Sequence, residues 1–156
     1  MASRIHSIIP RVAIGVGLLI PVVGIAGYLL YTQPYEPAEG TDIFAVVEGK
    51  WAWTTSDSGC AGESHRIAFT PDRAVMTIAA SKPYEGADGK LDSMAVYDVL
   101  SHTQASIRGA IRGETRLTDA GAPVVWDLVL RGPNNYAWHR TDWFRGAVTR
   151  EIQRCP

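Results

Sequence analysis

Residues 12–31 read VAIGVGLLIPVVGIAGYLLY, twenty residues without a charged side chain. A helix of that length crosses roughly 30 Å of hydrocarbon, and in lipid a lone segment can satisfy its backbone only as a helix. Arg4 and Arg11 precede the run, while Glu36, Glu39 and Asp42 follow it with no Lys or Arg before Lys50. The positive-inside rule then expects residues 1–11 in the cytoplasm, a single transmembrane helix over 12–31, a linker over 32–43 and a domain over 44–156 on the non-cytoplasmic side. Tyr28, Tyr31 and Tyr35 fall where an interfacial aromatic belt would sit, and Pro34 and Pro37 stiffen the exit. With no eukaryotic sorting signal in the chain, the expected location is the inner membrane of a bacterium with the C-terminal domain in the periplasm. The competing reading is a cleaved signal peptide, for which Gly24-Ile25-Ala26 would be a cleavage site; the apolar run continues past that tripeptide through Tyr28-Leu29-Leu30.

Within the apolar run Ala13, Gly17, Pro21, Gly24 and Tyr28 recur at three- to four-residue spacing, and Ala13, Gly17 and Gly24 leave one helix face nearly free of bulk. Such a face lets a second membrane helix approach closely. Ordinary glycine usage in membrane helices, with Pro21 as a kink, accounts for the same residues.

The remaining length allows one ordinary domain. Beyond residue 31 the chain carries thirteen Lys and Arg against sixteen Asp and Glu, net −3, which gives no footing for nucleic acid. Five Trp and six Tyr against three Phe suit a sheet whose rings pack inward with a polar edge to spare. Runs of β pattern alternate with turn signals about every ten residues, the mark of an antiparallel barrel or sandwich. Strands are expected over 45–55, 64–70, 74–79, 93–101, 105–111, 115–118, 124–131 and 136–143, joined as a meander; eight suffice to close a barrel. Thr70-Pro71-Asp72-Arg73 predicts a type I turn, Asp119-Ala120-Gly121 a left-handed position, and Gly132-Pro133-Asn134-Asn135 a tight connection.

Glu48-Gly49-Lys50-Trp51 places a G-x-W in the first expected strand, and Arg145, Arg150 and Arg154 cluster near the C-terminus. In this the domain resembles the lipocalin-like (calycin) barrels. The resemblance implies that Gly49 and Trp51 belong to a closed barrel floor and that a late arginine, Arg145 or Arg150, packs across the tryptophan. It also implies a small apolar ligand in the barrel.

Cys60 and Cys155 are the only cysteines, both in the part assigned to the non-reducing side, and a disulfide between them is the simplest reading. Two free buried thiols would be the alternative; two cysteines alone make a poor zinc site. His65, His102 and His139 lie on separate expected strands without the spacing that aims two imidazoles at one ion. Ser64-His65 with Asp127 or Asp142 lacks the G-x-S-x-G elbow of a serine hydrolase. Neither catalysis, a metal nor a cofactor is expected. Trp138, His139, Arg140 and Trp143 form a partner contact if exposed, or an ordinary strand if Trp138 faces the core. Arg108, Arg112 and Arg116 make either a basic strip or a solvated face.

Three functions follow. The first is a non-catalytic accessory subunit of an integral-membrane, energy-transducing type of complex, docked in the bilayer by its helix and bracing other subunits with its outer domain. The second is a membrane-anchored, lipocalin-like binder of a small apolar ligand. The third is an assembly factor for membrane complexes.

Overall fold

The computed structural model describes residues 35–54, 59–85 and 89–156. Residues 34–156 form one compact unit. The expected transmembrane helix, with Ala13, Gly17 and Gly24, lies outside the described residues. Among the described residues no helix is long and apolar enough to cross a membrane.

Eight antiparallel strands follow one another around a closed barrel: β1 (Gly49–Trp53), β2 (Ser64–Phe69), β3 (Val75–Glu85), β4 (Leu91–His102), β5 (Ser106–Ile111), β6 (Trp126–Gly132), β7 (Asn135–Arg140) and β8 (Ile152–Arg154). Each strand pairs with the next in sequence, and β8 returns to β1 with Trp51 opposite Arg154 and Trp53 opposite Ile152. This is the expected mainly-β barrel in its simplest, meander order. Closure leaves no unpaired sheet edge around the ring, which removes the usual template for edge-to-edge association.

Several boundaries differ from the sequence expectation. Residues 45–47 were expected to open a strand, but Ile43–Val47 is a short helix, α1. Asp42 caps it by accepting a hydrogen bond from the Phe44 N–H at 3.1 Å, and Ile43, Phe44 and Val47 all turn into the core. Capping and i, i+4 burial thus outweigh the β preference of Val46-Val47. Residues 115–118 form no barrel strand; Leu117 bridges Pro123 within the β5–β6 connection, around the left-handed Gly121. The eighth strand is instead Ile152–Arg154, too short and too charged to carry a period-2 signal. The last expected strand, 136–143, stops at Arg140.

The expected turns form. After β2, the Arg73 N–H donates to the Thr70 carbonyl at 2.8 Å, and Arg73 itself takes a positive φ of 59°. Its side chain then reaches back to Asp42 at 2.6 Å and lies 4.8 Å above the Phe44 ring, tying the turn to α1. Cys60 and Cys155 are bonded, closing a loop of 95 residues. Cys60 belongs to α2 (Gly59–Gly62), which rests against β1.

Candidate functional site

One end of the barrel is sealed. Trp51 is fully buried there, and its indole N–H donates to the Val47 carbonyl at 2.8 Å. The Arg154 guanidinium lies 4.4 Å over the Trp51 ring and donates to the carbonyls of Glu48 and Val46. The C-terminal backbone groups of α1 are thereby satisfied by a tryptophan and an arginine rather than by water. Gly49 makes the approach feasible: its φ is +136°, and a Cβ there would stand 2.9 Å from the Arg154 guanidinium. The residues implied by the G-x-W resemblance, Gly49 and Trp51, thus meet at the floor, but the arginine across them is neither Arg145 nor Arg150. Both of those are exposed. Arg154 takes the position because β8 pairs with β1 in a register that sets it directly opposite Trp51.

From the floor an aromatic column rises through the barrel. Trp51 meets Tyr136 edge-on at 4.9 Å, Tyr136 meets Trp138 at 6.0 Å, and Trp138 stacks on Tyr97 at 5.3 Å with the rings 14° from parallel. Gly109 faces Tyr97 across the sheet, where a Cβ would stand 3.3 Å from the tyrosine Cβ; the missing side chain lets the ring lie flat. Alternation along β7 sends Tyr136 and Trp138 inward. Thr149 then holds β7 in place, its N–H donating to the Trp138 carbonyl and its hydroxyl accepting from the Trp138 N–H.

Above this column the barrel opens into a cup of about 820 Å³ at the end that carries the β1–β2, β3–β4, β5–β6 and β7–β8 connections. Tyr97, Tyr136, Trp138 and His65 line its lower part, Trp53, Ile78, Ala95, Ile111 and Ile152 its walls, and Lys82, Asp92, Arg112, Glu114 and Arg116 its rim. The size falls within the range of about 300–1,000 Å³ usual for small-molecule sites, and the lining combines rings low in the cup with charged side chains at its rim.

Two polar features stand out in the cup. His65 Nε2 and the Tyr136 hydroxyl are 2.5 Å apart, and burial lowers the His65 pKa to about 4. Burial also raises the Tyr136 phenol well above its ordinary value, so the pair meets as neutral imidazole and neutral phenol. At the rim Arg116 donates from Nε and Nη2 to the two carboxylate oxygens of Glu114 at 2.8 and 2.6 Å. That fork lowers the Glu114 pKa, with its carboxylate almost out of solvent, while Arg116 lies 5.6 Å over the Trp126 ring.

Elsewhere the candidate residues resolve into structure. Arg108 pairs with Asp127 and Arg112 with Asp98, and Arg116 has Glu114, so the three arginines form a solvated, neutralised face rather than a basic strip. Of the four residues expected as a partner contact, Trp138 faces the barrel interior and is buried. His139 Nδ1 bonds the Ala147 carbonyl at 2.6 Å, Arg140 forks onto Asp142, and Trp143 packs edge-on to Trp126. His102 packs edge-on to Phe44. Among the described residues no group of His, Cys, Asp and Glu is arranged to hold a metal ion. The His65–Tyr136 pairing was not legible in sequence, since seventy-one positions separate two residues that only barrel closure brings together.

No protein-family model matches the chain, and no curated relative matches it. Among solved structures it is similar to the crystal structure of Tp0751 (Pallilysin) from Treponema pallidum, at 10% identity and a TM-score of 0.38, over 90% of this chain and 100% of that one.

Proposed function

We propose that the domain is a non-catalytic binder that takes a small, largely apolar ligand into the open end of its barrel, held at a bacterial inner membrane by the N-terminal helix. The observation that carries this reading is the shape of the barrel. One end is plugged by α1, Trp51 and Arg154, and the other keeps an aromatic cup of about 820 Å³. A domain whose only task was to fold would gain by filling that space, since each unfilled methylene forfeits contact energy. The lipocalin-like floor formed around Gly49 and Trp51 supports the same reading.

Titration of the full chain with 1-anilinonaphthalene-8-sulfonate tests it. Saturable, micromolar binding that is lost in Ala95→Trp, where a large ring would fill the cup, is the expected result. Binding that is absent, or indifferent to that substitution, sinks the reading.

A second reading, a subunit that braces or helps to assemble an integral-membrane complex, draws on the apolar side chains the domain leaves in solvent. Leu91 is 77% and Phe144 80% exposed, with Met94, Leu100 and Leu117 also in the open. Native purification in mild detergent discriminates. Stoichiometric membrane subunits that are lost when Leu91 and Phe144 become Ser would favour it over the binder.

A further inference from the structure

The cup has one polar group whose hydrogen-bonding direction the surrounding residues determine. His65 lines the cavity, and its Nε2 is engaged by the Tyr136 hydroxyl. Among the described residues His65 Nε2 is the one hydrogen-bond partner of the fully buried Tyr136 hydroxyl, and a buried donor left without an acceptor is rarer than an under-satisfied acceptor. The Tyr136 O–H is therefore directed at His65 Nε2. A neutral imidazole that accepts at one nitrogen carries its proton on the other, so the tautomer assigned by this network is Nδ1–H. No hydrogen-bond partner holds Nδ1 among the described residues. The one buried side-chain polar atom left without a partner among them is Arg131 Nε, so Nδ1 is reached from the cavity rather than sealed in the wall.

We propose that the cup receives a flat, ring-bearing ligand that presents a hydrogen-bond acceptor oxygen, a carbonyl or a carboxylate, to His65 Nδ1–H, with its rings against Tyr97 and Trp138. This rests on the binder reading and specifies its ligand class. The Tyr136–His65 pair makes the donor preorganised, because rotating or re-protonating His65 would leave a buried phenol without an acceptor. The same pairing discriminates against a ligand that brings only N–H donors to that spot, because donor would face donor. Stacked rings supply the apolar part of the affinity, and the Tyr97–Trp138 pair already shows the geometry.

The test uses the full chain in phosphatidylcholine nanodiscs, empty discs as blank, and three probes of one ring size: 2-acetonaphthone, 2-naphthoate and 2-naphthylmethylammonium. Binding is read by tryptophan fluorescence, and the His65 tautomer by long-range proton–nitrogen correlation in the ligand-free protein. The expected result is an Nδ1–H tautomer, with the ketone and the carboxylate each binding at least ten-fold more tightly than the ammonium. His65→Phe should abolish that preference, and His65→Gln, which can accept from Tyr136 and still donate, should keep it. An Nε2–H tautomer, or equal binding of all three probes, overturns the inference and leaves the binder reading standing. Failure of all three to bind removes both.

Discussion

At the residue scale the two ends of the barrel make opposite demands. The floor needs Gly49 because the guanidinium of Arg154 occupies the space a side chain would take and because the backbone there is at φ +136°. Gly49→Ala is expected to cost about 1–3 kcal/mol, read as a lower urea midpoint at unchanged slope. Arg154→Ala should cost about as much by uncovering Trp51 and freeing the carbonyls of Val46 and Glu48. In the cup, His65 carries a pH dependence. Its folded pKa of about 4 lies below the ordinary 6.5, so between those values the unfolded chain binds the extra proton. Stability due to His65 is complete above pH 6.5 and falls as pH drops toward 4, by about 3 kcal/mol in all. Urea melts of the wild type and His65→Gln at pH 7.5 and pH 5 check this: the wild type should lose stability over the interval and the variant much less. Arg116 holds the Glu114 carboxylate below its ordinary 4.5, so its contribution is lost only under pH 5, the lower limit of the comparison.

At the element scale, the weakest member of the ring is β8. It has three residues and meets β7 at only two positions, Asn135 with Gln153 and Tyr136 with Ile152. Three devices hold it. Arg154 reaches the floor, Ile152 is buried, and Cys155 ties the strand's end to Cys60. The disulfide matters here because the loop it closes runs nearly the whole length of the domain. Removing it with Cys60→Ser and Cys155→Ser together is expected to lower stability by about 4.7 kcal/mol in the loop-entropy account, and to lower Tm accordingly. Hydrogen exchange should show the loss first in β8 and β1, the two strands whose pairing closes the ring. At the other extreme β3 and β4 outrun their neighbours. Tyr84 pairs with Asp92 and Glu85 with Leu91 beyond the last rung shared with β2 at Ala80, so their ends form a two-stranded ribbon beside the mouth. Tyr84, Asp92 and Met94 on that ribbon line the cup.

At the scale of the whole molecule, the domain and the segment before it pose separate questions. The expectation from charge and hydropathy is an N-terminus in the cytoplasm and the barrel outside. A β-lactamase fused after residue 42 should protect a bacterial host from ampicillin, and one fused after residue 8 should not. The reverse pattern would remove both the periplasmic assignment and the reason for expecting a disulfide in the cell. The barrel itself does not depend on that outcome, since its core of Trp51, Ile67, Met76, Ile107, Leu128, Leu130 and Tyr136 is built wholly within residues 34–156.

The properties that rest on local chemistry were determined by the sequence alone. Period-2 patterning marked seven of the eight barrel strands, all but β8, Pro71 and Gly121 marked turns, and two cysteines in one domain paired with each other. Each depends on residues near in the chain, or on a choice with one partner. Tertiary structure decided the rest, because it depended on register. Whether Arg145, Arg150 or Arg154 would cross Trp51 turns on which residue β8 sets opposite β1, and a slip of one position would have sent Arg154 outward. Whether Val46-Val47 would extend a strand or finish a helix turned on the open barrel end that Ile43, Phe44 and Val47 had to plug. His65 and Tyr136 are an unremarkable pair in sequence; ring closure through β1 and β8 brings β2 and β7 to the same level of one cavity, where burial favours the neutral form of each and the hydrogen bond between them sets which nitrogen faces the cup.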